Sequence, residues 1–75
     1  GADAEVYTKD YSDNSILWIV RRAGDEELHA VFNFSDEGRT IWMPEKAQYT
    51  NLVTGVTQET ETVELSGWDF VWMKR

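Results

Sequence analysis

The sequence predicts an all-β chain of about seven short antiparallel strands, arranged as a sandwich or a partly open barrel. Runs of about 5–8 residues rich in Val, Ile, Thr, Tyr, Phe and Trp recur along it, which is strand chemistry. Turn formers separate these runs at short intervals, as in Ser12-Asp13-Asn14-Ser15, Ala23-Gly24-Asp25-Glu26 and Ser35-Asp36-Glu37-Gly38. No window sustains apolar residues at i, i+3, i+4 and i+7 behind a capped start, so helix has no place.

The first strand is expected over 5–8, where Val6, Tyr7 and Thr8 are adjacent. The second, over 16–22, begins with Ile16-Leu17-Trp18-Ile19-Val20 and ends in Arg21-Arg22. The third, over 27–34, runs from Glu27 through Leu28-His29-Ala30-Val31-Phe32 to Asn33-Phe34 and stops at Ser35. The fourth, over 39–43, carries Ile41, Trp42 and Met43 up to a turn at Pro44-Glu45-Lys46. The fifth, over 49–53, carries Tyr49, Leu52 and Val53 ahead of Gly55, and the last two, 60–65 and 69–74, flank Ser66-Gly67. Links of about 3–5 residues favour antiparallel neighbours. Hairpins are therefore expected between the second and third strands, the third and fourth, and the sixth and seventh.

A chain of 75 residues makes a single domain, 1–75. At this size only about 60% of the unfolded surface is buried on folding, so the core leans on four Trp, three Tyr and three Phe. Cysteine is absent, which excludes disulfides and thiolate metal sites and leaves the compartment open. No apolar stretch approaches the roughly 18–20 residues of a membrane-spanning helix. Gly1-Ala2 reads as the start of an excised segment or as a cloning scar, not as a signal peptide. Seven basic residues scattered among fourteen acids, net charge −7, exclude nucleic acid and disfavour an anionic membrane surface.

A sandwich strand with one buried and one wet face alternates. Ile16 to Val20 are apolar without a break, and so are Phe70-Val71-Trp72-Met73. Strands apolar on both faces need cover on both, and a chain this short cannot supply two layers of it. Part of this surface is expected to belong to a neighbour.

Taken in order, the segments resemble the C-terminal β-domain of the α-amylase family of glycoside hydrolases. The shared pattern is an apolar strand ending in Arg (16–21), a short polar turn (23–26) and an apolar strand ending in Asn33-Phe34-Ser35. A strand ending in an apolar residue plus Pro (41–44), a Tyr-x-x-Leu-x-x-Gly segment (49–55) and an apolar closing strand (65–73) complete it. The match covers roughly residues 5–75. Arg22 doubles the usual single Arg, and Trp42 and Trp72 stand where smaller residues are more ordinary. The resemblance implies a small antiparallel β-sandwich with Greek-key connections, the C-terminal accessory domain of a larger enzyme, packed against the (β/α)8 catalytic barrel of the same polypeptide. It also implies that the catalytic carboxylates lie on that barrel and not on this chain. A second reading, from a different class, is an independent carbohydrate-binding module for α-glucan.

The residues themselves offer little reaction chemistry. Glu26, Glu27, Asp36 and Glu37 fall in turns, where a carboxyl is solvated and its pKa is hard to raise for acid catalysis. His29 is the single histidine and has no Cys or His to share a metal. It reads as a structural residue, so no catalytic residue, metal site or cofactor is expected. Asn33 has an amide able to tie a strand end to a neighbouring turn. Trp42, placed outward if Ile41 and Met43 face the core, and Trp68, beside Gly67, are the candidate sugar platforms. Ile16, Trp18 and Val20 are the candidate interdomain packing face, with Leu17 and Ile19 turned to the core as in the resembling pattern. The domain is expected to be monomeric.

Overall fold

Six strands form within residues 3–75, the part that the computed structural model describes; Gly1-Ala2 lies outside it. They are β1 (Glu5–Thr8), β2 (Ile16–Ala23), β3 (Glu26–Asn33), β4 (Arg39–Asn51), β5 (Thr57–Leu65) and β6 (Phe70–Lys74). All neighbours are antiparallel, in the order β1-β2-β3-β6-β4-β5, and no helix occurs among the described residues. The chain is all-β, as its composition predicts, with six strands in place of seven.

β2 starts at an Asx turn. Asp13 Oδ1 accepts Ser15 N–H at 2.9 Å and Ser15 Oγ–H at 2.6 Å, and the Asp13 carbonyl accepts Ile16 N–H at 3.1 Å. Gly24, at φ 60°, then takes the first central position of a two-residue turn that pairs Ala23 with Glu26. A glycine adopts that left-handed conformation without a Cβ clash. The β2–β3 hairpin therefore forms where the sequence places it.

The other two expected hairpins do not form. β6 lies between β3 and β4, and β4 lies between β6 and β5, so the 34–38 and 66–69 links are crossovers. Their reason is Asn33. Its Nδ2 donates to the Glu37 carbonyl at 2.8 Å and the Ser66 carbonyl at 3.0 Å, while its Oδ1 accepts Ser35 N–H at 3.1 Å and Ser35 Oγ–H at 2.7 Å. The amide pulls both links inward over the end of the core, and neither is left free to double back as a β-turn. Trp68 N–H donates to the Ser35 carbonyl at 2.9 Å, joining link to link. Gly67 lies so close that an added Cβ would stand 2.7 Å from the Asp36 backbone.

β4 is longer than the sequence suggests because Pro44 marks a bulge and not a strand end. Trp42 pairs with Thr62 and Ala47 with Thr60, so Met43–Lys46 stand opposite Glu61 alone. Proline has no N–H for the ladder, and a bulge is where a strand tolerates it. The Tyr49 hydroxyl donates to the Glu45 carbonyl at 2.9 Å and secures the bulged backbone. Beyond it, Thr50 and Asn51 pair with β6, and the sheet folds over itself.

One core results. Trp18, Val20, Val31, Val71 and Met73 meet Ile41, Met43, Tyr49 and Leu65, with Ile16 packed at the margin. This corrects the expected assignment of faces on β2: Trp18 is 0% and Val20 1% exposed, so neither belongs to a docking surface, and Leu17 and Ile19 point the other way. The unbroken apolar run cannot report parity; its pairing partners do. Trp18 is opposite Val31 and Ile16 opposite Asn33, the residue that must reach the links.

A buried polar chain crosses this core. Trp18 Nε1–H donates to His29 Nδ1 at 2.9 Å, and indole is a donor only, so the His29 proton sits on Nε2 and goes to Glu27 at 3.0 Å. Burial works to raise the Glu27 pKa, but hydrogen bonds from His29 and Arg22 hold it below its ordinary value. Asp13, bonded by Ser15 and then by Arg39, is held down at about 2. Among the described residues no buried side-chain nitrogen or oxygen lacks a partner.

Two outcomes follow. Trp18→Ser should lower the unfolding free energy by about 3–5 kcal/mol in urea melts, and the exposed Trp42→Ser by about 0.5 kcal/mol or less. Asp13 and Glu27 both titrate below their ordinary values of 3.8 and 4.5, so their stabilisation is complete above about pH 4.5. It is lost as the pH falls through the folded values toward 2. Urea midpoints at several pH values should show that fall, and Asp13→Asn should be weaker at neutral pH but show a shallower fall.

Candidate functional site

The pairing registers that bury one face of β2, β3 and β6 expose the other. Three rows cross it: Leu17–Phe32–Phe70, Ile19–Ala30–Trp72 and Arg21–Leu28–Lys74. Phe32 stacks on Phe70 with centroids 5.7 Å apart and on Phe34 at 6.1 Å. Leu17, Phe34, Phe70 and Trp72 are all exposed. Leu52, whose N–H donates to the Trp72 carbonyl at 2.9 Å, extends the middle row on one side, and Thr8, opposite Ile19, extends it on the other. The result is an apolar band across β2, β3 and β6, continued by Leu52 just past the end of β4. Contiguous exposed apolar surface of this kind marks an interaction site more often than bare solvent contact.

Charge enters only at one margin of the band. Lys74 is paired with Glu26, whose carboxyl is thereby held below its ordinary range. Arg21 is the basic residue of this face without an ion pair among the described residues.

Glu26 and Glu27 open β3 instead of lying in the turn before it, and the carboxylates expected in turns are not arranged for acid catalysis. Glu26 and Glu27 are both shifted downward, the direction that keeps a carboxylate ionised, whereas a general acid needs the opposite. Asp36 and Glu37 lie exposed on the first link. His29 is 2% exposed and both ring nitrogens are bonded. No group of three His, Cys, Asp or Glu able to hold a metal ion is found among the described residues.

The tryptophans divide. Trp18 is core; Trp42, Trp68 and Trp72 are exposed. Ile41 and Met43 do face inward, and Trp42 does face out, with its backbone N–H donating to the Tyr11 hydroxyl at 3.1 Å. Trp68 sits on the second link. Neither Trp42 nor Trp68 has another aromatic ring stacked beside it among the described residues, and neither lines the one groove described. That groove, about 630 Å³, opens between β5 and β6 over Gln58, Thr60, Thr62, Val71 and Met73.

Sequence reasoning foresaw a two-sided apolar sheet but assigned the outer face to the wrong β2 row. It did not single out Leu17, Phe32, Phe34, Phe70 or Trp72 as that face. The signal was present: a two-residue turn at Gly24-Asp25 aligns Ile16 with Asn33, so an inward Asn33 fixes Ile16, Trp18 and Val20 inward. The groove had no such signal, because it exists only where β5 and β6 part around β4. The chain matches no protein-family model and no curated protein.

Proposed function

We propose that this chain is a non-catalytic accessory domain of an α-amylase-like glycoside hydrolase, and that its outer β2–β3–β6 face packs against the (β/α)8 barrel of the same polypeptide. The observation that carries this is the apolar band itself, which a small domain has no means of covering from within. Several of the motif residues behind the resemblance lend support, since they have tasks in the fold. Asn33 and Ser35 close the links, Pro44 forms the bulge and Tyr49 secures it. The domain's role is to shield apolar barrel surface and stabilise it.

The alternative, an independent module for α-glucan, draws on the exposure of Trp42 and Trp68. Single separated indoles give at best about millimolar affinity, near −4 kcal/mol, so they favour retention on glucan weakly.

The isolated chain should release no reducing sugar from starch, maltooligosaccharides or sucrose. Phe70→Ser with Trp72→Ser should change its own urea midpoint modestly yet loosen the domain in the intact polypeptide, seen as faster release by limited proteolysis. Unchanged cohesion would overturn the docking role. Maltoheptaose binding that saturates well below a millimolar, with NMR shifts clustered at Trp42, would replace it with the glucan-binding one.

A further inference from the structure

β5 is an edge strand. Its nine residues pair with β4 on one side, and no strand lies on the other among the described residues. β6 is covered by β3 along its length, but β4 reaches it only at Thr50 and Asn51, opposite Lys74 and Met73. The bond from Leu52 N–H to the Trp72 carbonyl extends that contact by one step, and no strand covers Phe70 on that side. The groove opens between these two edges, with Thr60, Thr62, Asp69 and Val71 among its walls. Unpaired backbone on a strand edge is a template for a further strand.

The ladders fix which backbone groups point outward. In an antiparallel pair each residue turns its N–H and C=O together, alternately toward the partner and away from it. Asn33 N–H donates to the Asp69 carbonyl at 2.9 Å, and Glu27 and Arg75 exchange bonds at 3.0 and 3.1 Å. Asp69, Val71, Met73 and Arg75 therefore turn to β3, and Phe70 turns away from it. On β4 the Trp42 N–H goes to the Tyr11 hydroxyl, so Thr62, opposite Trp42, turns its own groups away from β4. Side chains already hold these outward groups. Phe70 N–H donates to Asp69 Oδ1 at 2.8 Å. Thr60 Oγ1 accepts Thr62 N–H at 3.3 Å and donates to the Thr62 carbonyl at 2.8 Å, so one hydroxyl closes both.

We infer that Thr60 and Asp69 are edge guards, which occupy backbone groups that an added strand would need and keep the groove from accepting β5 of a second copy. The edges themselves name this occupant. A strand supplies donors and acceptors at the spacing of the ladder, and every copy carries one of nine residues with a free side. Two such edges related by a two-fold axis complement each other. This role is independent of the docking proposed above, which uses the outer face. Glu59, Glu61 and Glu64, exposed along β5, oppose the same approach by like charge, so the caps are tested with that charge screened.

The test is Thr60→Val, which keeps the branched shape and loses the hydroxyl, combined with Asp69→Ala in the 75-residue chain. Salt of about 1 M shortens the Debye length to about 3 Å. By sedimentation velocity the double variant should dimerise roughly tenfold or more tightly than the unsubstituted chain, the scale of one or two net hydrogen bonds. Its Thr62 and Glu64 amides should exchange more slowly in the dimer, and Thr60→Ser, which restores the hydroxyl, should match the unsubstituted chain. Folded variants that associate no more than the unsubstituted chain overturn the inference. So does association that Phe70→Ser with Trp72→Ser removes, since the contact is then the outer band, and so does an unsubstituted chain already dimeric through β5. If Thr60→Val does not fold, the unsubstituted chain still decides. Its Thr62 amide should exchange severalfold more slowly than that of Glu64, which shares the outward orientation two residues on, and equal rates would remove the guard.

Discussion

The fold depends on one carboxamide. Asn33 sits where β3 runs out, and its two donors and one acceptor are all bonded to backbone or side chain of the two links. An amide buried to 1% exposure is tolerated only when bonded in this way, so its direction is not negotiable. Once Asn33 points inward, strand geometry sends Val31 and His29 inward with it. The registers then carry the choice sideways, to Ile16, Trp18 and Val20 on β2 and to Val71 and Met73 on β6. A one-residue slip would reverse every one of these. Hydrophobicity alone would accept either face of β2; the hydrogen bonds of Asn33 accept one.

That hierarchy explains what the sequence could and could not disclose. Strand chemistry and turn chemistry are local, and they located the β2–β3 turn and every strand, though they divided β4 in two at Pro44. The tie at Asn33 was legible too, from a polar residue ending an apolar strand. Which strands lie side by side was not legible, because short links look the same whether they make a hairpin or cross the core. The 34–38 link crosses because Asn33 holds Glu37, and 66–69 because Ser66 is held by the same amide across 33 positions of sequence. Pro44 misled for a related reason: its missing donor is equally at home at a strand end and in a bulge, and only Thr60 and Thr62 on the partner strand distinguish them.

The outer face illustrates how a short chain manages a surplus of apolar surface. Its aromatics stack on one another, Phe34 on Phe32 and Phe32 on Phe70, which limits the area left to water without removing it. Charge is kept to the far margin, around Arg21, Glu26 and Lys74. The strong net acidity of the chain therefore lies elsewhere, on loops and on β5, and the band stays electrically quiet enough to be covered by a protein surface.

The bulge in β4 has an effect on the strand opposite. Because Met43–Lys46 stand against one residue, the burial along β5 changes there: Leu65 is buried and Val63 half-buried on one side of the bulge, while Thr60 is half-buried on the other and Thr57, Gln58 and Glu59 are exposed. The β4–β5 pair is consequently graded along its length, best covered at Leu65 beneath the Asn33 tie and fully exposed on β5 from Thr57 to Glu59. Such a gradient makes local opening directional. The β4–β5 pair should therefore open first at Thr57–Glu59, while the Leu65 end, whose carbonyl faces the Asn33 amide, stays closed.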